Sequence, residues 1–339
     1  MMVWKRFYGL SDYWDEALTY SEDYNVFQSY EWGEFKKTTG WVPERWIASD
    51  KNGDIICMVQ ILIKSFPGGF KIGWASGGPV ILFNRSNSKK HPKIIKDLFK
   101  NVSRTSGRMV VRLNIQVPDD AYLSYSLNQI CVRPIFRINS GYTINIDLNQ
   151  SLEQIRKEMS PRHRYNLKKS LEENIDWKYG NNPMYIQDFL LLNNEMVNEK
   201  KVESIRVNLK NITELSQLLG ENVIFFAGYI DNVPIASCLV LIFGQKAFHF
   251  MASSGLTGRK LKASYAMNYS LLKLLKEKGI RLFDFGGIDP YSHSAAGVNS
   301  FKKGFGGELV EYLGEWEWAS SGWVKWVVNS AIRINRGWM

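Results

Sequence analysis

The chain has 339 residues, 45% hydrophobic and 14% aromatic, and its 43 Lys+Arg against 33 Asp+Glu leave a net charge of +10. That length supports one large or two medium domains with real cores, and the positive surplus either suits a polyanionic partner (RNA, a nucleotide-sugar, an anionic membrane face) or serves solubility. Cys57, Cys131 and Cys238 share no metal-type spacing and His91, His163, His249 and His293 stand singly, which speaks against a metal centre. No window of ~18 uninterrupted apolar residues spans a bilayer, and Met1 to Leu10 lacks a signal-peptide core, so a cytoplasmic protein with buried thiols is expected.

In chain order, residues 11–40 carry a helical pattern interrupted at Tyr24-Asn25, with a short helix from Gln28 to Lys36 that stops near Gly40-Trp41. Lys36 and Lys37 suit a helix C-terminus electrostatically, which is the plain reading of both. From Arg45 the period changes to two: strands Arg45–Ser49, Ile55–Lys64 and Phe70–Ala75, with a hairpin turn at Lys51-Asn52-Gly53-Asp54. An amphipathic helix over His91–Ser106 turns Ile94, Ile95, Leu98, Phe99 and Val102 inward and ends at Gly107. Met109–Ile115 is an apolar strand, and Ile130–Asn149 adds further strands, Tyr142–Leu148 the clearest.

A second pass has the same order. Leu152–Glu173 is a basic helix, followed by helices Tyr185–Glu199 and Ile212–Leu219. Strands Asn222–Ile230, Pro234–Phe243 and Lys246–Ala252 follow, the first two joined by the turn Asp231-Asn232. Helix Lys260–Lys278 and strand Ile280–Phe285 complete the pass. A hairpin feeding a strand–helix–strand unit gives a mixed sheet, so the repetition predicts an internal duplication: an α/β protein of two similar halves with a cleft between them. The expected domains are 1–148 and 149–315, with the tail 316–339 returning to the first. That tail holds Trp316, Trp318, Trp323, Trp326 and Trp338 among cations, a composition that fits rings packed back on the body or an interfacial membrane contact.

The stretch richest in chemistry runs from Phe283 to Phe305. An apolar strand ends at Gly286-Gly287, where the lack of a Cβ lets another backbone approach. A polar segment follows, and then Phe301-Lys302-Lys303-Gly304-Phe305. A lysine there suits an anion or a developing oxyanion; the plain alternative is a strand, a turn and a basic surface loop.

Phe283-Asp284-Phe285-Gly286-Gly287-Ile288 with Gly297-Val298 and Phe301-Lys302-Lys303-Gly304-Phe305-Gly306-Gly307 resembles the FemABX family of non-ribosomal peptidyl transferases. Weaker likenesses lie at Gln28-Ser29/Trp32-Gly33/Lys36/Gly40-Trp41 and at Arg164-Tyr165-Asn166-Leu167-Lys168-Lys169. The resemblance implies tandem GNAT-like domains of the short kind without a coiled-coil arm, and transfer of an amino acid from aminoacyl-tRNA, as co-substrate and with no other cofactor, onto an amine of a peptidoglycan or other envelope precursor, nucleotide-linked or lipid-linked. It implies Lys302 at the reacting ester, with Phe301 positioning it. It implies Lys36 and Arg206 on acceptor phosphates, and Arg162, Arg164, Lys168, Lys169 and Lys303 toward RNA. Two departures stand out: Gly77-Gly78-Pro79 where members often carry Arg-Gly-Pro, and Asn114-Ile115 where they often carry Asp-Pro. An Asn cannot serve as an acceptor-side base, which leaves room for a surface-sugar or other acceptor.

Read from the residues alone, ester aminolysis needs a free amine, a proton acceptor and donors at the oxyanion. Lys302 fits the donor, and the leaving 3′-hydroxyl is itself a usable proton acceptor. Asp284 and Asp289 are placed to orient the amine beside Gly286 and Gly287, though Asp289 before Pro290 is also a plain turn residue. An acyl-CoA-dependent N-acyltransferase would use the same sheet but wants a glycine-rich pyrophosphate turn. Here Gly255-Leu256-Thr257-Gly258-Arg259-Lys260-Leu261-Lys262 departs from R/Q-x-x-G-x-G/A at Lys262. A non-catalytic basic protein that binds RNA or a membrane is the third expectation.

Overall fold

The period-two stretches fold as strands, and their alternation decides which face meets the core. The computed structural model describes residues 2–82, 91–201, 203 and 206–334. It divides into two units, Met1–Gly141 with Glu311–Met339, and Tyr142–Val310.

In the first unit, β1 (Val3–Arg6) precedes helices α1 (Ser11–Thr19) and α2 (Tyr30–Thr38). Ser29 caps α2 by accepting from the Trp32 amide. Strands β2 (Val42–Ser49), β3 (Ile55–Phe66) and β4 (Phe70–Ser76) form an antiparallel meander, with β5 (Val80–Ile81) also on β3. Helix α3 (His91–Ser106) then crosses over to β6 (Arg108–Pro118), parallel to β4. The expected inward residues of α3 are all buried in this unit's core. A short helix, α4 (Ala121–Asn128), follows. The further strands expected after Ile130 reduce to Tyr142–Asp147 and an isolated bridge from Val132 to Glu317; the rest of 130–141 is irregular and holds carbonyls and amides that buried side chains engage.

The second unit opens with that strand, β7 (Tyr142–Asp147), which the sequence placed at the end of the first domain. It pairs antiparallel with a strand of the second unit, and the division therefore falls at 141/142 rather than 148/149. The basic helix is two helices, α5 (Leu152–Glu158) and α6 (Pro161–Leu171), because Met159 is extended and Pro161 can only begin a helix. Strand β8 (Asp176–Gly180), helices α7 (Pro183–Lys200) and α8 (Leu209–Leu219), and the meander β9 (Val223–Ile230), β10 (Val233–Phe243), β11 (Lys246–Ser254) come next. Asp231 and Asn232 make the β9–β10 turn with φ of 49° and 61°, the left-handed pair that a two-residue hairpin requires. The long helix expected over 260–278 is broken at Lys262 (φ 56°) into α9 (Leu256–Lys260) and α10 (Ala263–Glu277). It crosses over to β12 (Leu282–Ile288), parallel to β11, and α11 (Ala296–Lys303) follows.

The chain then forms β13 (Glu308–Ala319), antiparallel to β6, and α12 (Gly322–Ile334). These are held in the first unit by a buried polar network. Arg112 donates from Nε to Glu317 at 2.9 Å, from Nη2 to Asn329 at 2.9 Å and from Nη1 to the Phe136 carbonyl at 3.0 Å. Glu315 accepts from the Ile138 and Asn139 amides, and burial raises its carboxyl above the ordinary value. Trp316 is buried, whereas Trp323 and Trp326 are exposed; Trp338 lies outside the described residues. Strand order is β1-β2-β3-β4-β6-β13 in the first unit and β8-β9-β10-β11-β12-β7 in the second, the same succession of meander, crossover helix, parallel strand and antiparallel strand. That correspondence is the structural form of the duplication seen in the sequence.

Candidate active site

Strand β12 carries a bulge. Asp284 faces Asn145 and Gly287 faces Thr143, so Phe285 and Gly286 oppose the single residue Ile144 of β7. Gly286 has a φ of 78°, where an L side chain is strained. A Cβ at 286 would also stand 3.0 Å from the His249 carbonyl oxygen and 3.3 Å from Lys302 Nζ. Asp284 Oδ1 holds the bulge, accepting from the Gly286 amide at 2.8 Å and from the Thr143 hydroxyl. Burial raises the Asp284 carboxyl against the opposing pull of those bonds and of Lys302.

Lys302 is not on a loop. It stands in the last turn of α11, half-buried, and donates to the Gly287 carbonyl at 2.9 Å. An ammonium has three N–H donors, so further donors remain for a ligand oxygen. Burial lowers the Lys302 pKa, and Asp284 pulls the other way. On β11, His249 packs its ring against Phe283 and Phe285, and burial holds its pKa down at about 3, so it is neutral beside the ammonium. Phe301 sits at the site's inner wall, its ring among Tyr265, Phe285 and Phe305. Asp289 forms the turn expected of it: its Oδ1 accepts from the Tyr291 amide at 3.1 Å, and its backbone is clasped by Asn299.

The remaining sequence-derived candidates are dispersed. Arg162, Lys168, Lys169 and Lys303 are exposed. Arg164 is half-buried and uses Nη1 on the Lys157 and Met159 carbonyls, capping α5, so its part is structural as well as electrostatic. Arg206 directs its guanidinium to Glu203, Asn194 and Asn198 within its own unit, an engagement that spacing did not reveal. Lys36 belongs to the first unit. Its Nζ lies 5.7 Å from the ring centres of Trp32 and Phe35, and burial with the neighbouring Lys64 charge lowers its pKa. Thr143, His163 and His249 were not singled out from sequence; each arrives by strand pairing or helix packing. Among the described residues no group of three or more His, Cys, Asp or Glu side chains is placed to hold a metal ion.

Two units of mixed strand pairing, each with one crossover helix, give the chain a tandem GNAT-like α/β fold. A crystal structure of FemX superposes with a TM-score of 0.83 over 96% of this chain and 100% of that one at 15% identity. A tandem GNAT protein from the clavulanic acid biosynthesis pathway superposes with a TM-score of 0.55 over 95% and 99% at 9% identity. In sequence, residues 187–331 match the FemAB family, and the resemblance to that family holds. The aminoacyltransferase FemA of Staphylococcus epidermidis is 24% identical over 180 residues, 52% of this chain and 34% of that protein. The lipid II:glycine glycyltransferase of Staphylococcus saprophyticus subsp. saprophyticus is 23% identical over 123 residues, 35% and 30%. The matched part thus spans about a third of the length of these relatives.

Proposed function

We propose that the protein is an aminoacyltransferase that moves an amino acid from aminoacyl-tRNA onto an amine of a cell-envelope precursor. The observation that carries this reading is the Lys302 ammonium beside the Gly286-Gly287 bulge, within the FemAB-matched residues. The acceptor nitrogen attacks the ester carbonyl carbon, and the C–N bond forms as the carbonyl oxygen takes up negative charge. Lys302 N–H groups stabilise that oxygen. The C–O bond to the tRNA then breaks, and the departing 3′-oxygen takes the proton that the amine loses, so no dedicated base is required. Asp284 holds the bulge and Phe301 the inner wall. Lys36 stands ready for acceptor phosphates, and the exposed cations of α6 with Lys303 for RNA. The precursor is lipid-linked, in keeping with the lipid II substrate of the glycyltransferase relative, and the protein works at the cytoplasmic membrane face. Among the described residues of the tail, Trp326, 72% exposed on α12, is the tryptophan most open to an interfacial contact.

The test is incubation with charged tRNA or, separately, an acyl-CoA, each with lipid-linked and nucleotide-linked precursors, read by mass shift of the acceptor. Transfer from charged tRNA supports the reading. Consumption of the CoA thioester alone overturns it in favour of an N-acyltransferase. RNA binding without transfer by any donor, steeply weakened by salt, leaves a binding protein.

A further inference from the structure

The helix that carries Lys302 ends with carbonyls that its own backbone does not fully satisfy. Beyond α11, the amides of Gly304, Phe305 and Gly306 return to the carbonyls of Ser300, Lys302 and Lys303. The Phe301 carbonyl is met from outside the helix, by His163 Nε2 at 2.9 Å. The opposite ring nitrogen, Nδ1, is 2.9 Å from the Ser160 hydroxyl, the N-cap of α6. A neutral imidazole that donates from Nε2 accepts at Nδ1, so Ser160 donates there while its oxygen accepts from the His163 amide. The Ser160 amide in turn donates to the Gly304 carbonyl at 2.9 Å. The ring is 5% exposed and packs against Tyr265, Phe301 and Phe305 at 5.0, 5.7 and 5.2 Å. It occupies the space beside Gly304, where a Cβ would come within 1.9 Å of its Cε1. Three contacts therefore converge on the residue before Lys302 and the residue two after it.

We propose that His163 is a positioning residue for Lys302: its imidazole clamps the Phe301 carbonyl and fixes the last turn of α11, from which Lys302 reaches the Gly286-Gly287 bulge. The clamp is a geometric claim; its consequence for rate rests on the proposed aminoacyl transfer. A histidine that merely filled the core would lower stability when replaced and leave the folded protein's ammonium where it was. A clamp holds the ammonium in a half-buried place, and its loss releases the ammonium toward water.

The experiment compares His163→Leu, which removes the donor, with His163→Gln, whose amide keeps one. Lys302 is titrated without any substrate, by competitive acetylation with acetic anhydride across pH and mass spectrometry of the peptide that contains it. The expected result is a Lys302 titration that moves toward that of ordinary lysine in His163→Leu, with a several-fold rise in the pH-independent acetylation rate constant of the free amine, and both return in His163→Gln. In the transfer assay kcat falls roughly ten- to hundredfold in His163→Leu with acceptor KM unchanged, the scale of a misplaced reacting group, and His163→Gln recovers most of it. A folded His163→Leu protein with the wild-type Lys302 titration overturns the proposal. Should His163→Leu not fold, His163→Phe decides: it keeps a ring among Tyr265, Phe301 and Phe305 but has no donor for the Phe301 carbonyl, and an unmoved Lys302 titration again overturns the clamp. Absence of transfer from any donor defeats the functional reading, while the acetylation result still decides the clamp.

Discussion

Lys302 Nζ donates to the Gly287 carbonyl oxygen across 2.9 Å, joining the last turn of α11 to the glycine end of β12. A buried ammonium is more costly than an exposed one, and its pKa is accordingly lowered. Because the protonated form is the donor to an oxyanion, the proposed transfer should fall as pH rises through that lowered value, with an alkaline limb below the range of free lysine. Lys302→Met should cost roughly 10²–10³ in kcat and leave RNA affinity nearly unchanged. Lys302→Arg, charged at all accessible pH, should abolish the alkaline limb while retaining some rate. Steady-state pH–rate profiles of the three proteins check this; an unchanged limb in Lys302→Arg would assign it to another group.

Gly286 meets two demands at once, a left-handed backbone and the approach of the Lys302 ammonium and the His249 carbonyl. Gly286→Ala should therefore destabilise the fold by about 1–2 kcal/mol through backbone conformation alone, and should lower kcat by more than that loss implies, since the new methyl displaces Lys302. Thermal unfolding and kcat measured on the same preparation separate the two effects. A Gly287→Ala control, where the backbone φ is not positive and the nearest contact to a new Cβ is the Tyr142 carbonyl at 3.7 Å, should show neither in full.

Much of this architecture was legible because local and tertiary preferences agree. The meander strands alternate, and Asn52-Gly53 and Asp231-Asn232 supply turn chemistry. Helix α3 shows its apolar face and ends at a glycine with φ of 67°. Legibility failed where the partner decides. Strand β13, which the sequence did not suggest, carries Glu315 and Glu317, whose buried partners, Arg112 and the 138–139 amides, only the fold brings to them. Helix α11 contains Gly297 and lacks a side-chain N-cap, and its C-terminal carbonyl is met by a histidine 138 positions away. Of the candidate site, Lys302 and the glycine pair were singled out from the sequence. Thr143 was not, because only the β7–β12 register places its hydroxyl on Asp284.

The Arg112 network predicts an asymmetry between single and paired substitutions. Arg112 and Glu317 are almost fully buried, so Arg112→Met leaves two carboxylates enclosed without their cation and should cost about 3–5 kcal/mol in urea unfolding. Replacing Glu317 by Met as well should recover a large share, because an apolar pair of similar volume avoids the desolvation of both charges. Recovery absent from the double variant would place the cost in the Asn329 and Phe136 contacts instead.

His249 is buried, and its folded pKa of about 3 lies below the ordinary 6.5. The unfolded chain therefore takes up a proton as pH falls through about 6.5, whereas the folded chain resists until about 3. Across that window acid favours unfolding, by about 1.4 kcal/mol per pH unit from this one group. Asp284, whose folded pKa is raised, works in the opposite direction. His249→Phe keeps a ring against Phe283 and Phe285 and removes the titration. The stability of the wild type relative to the variant should thus decline steadily from neutral pH down to about 3, with little change above about 6.5. Urea unfolding of both proteins at a series of pH values checks it, and parallel curves would mean that the imidazole is already solvated or protonated in the folded protein.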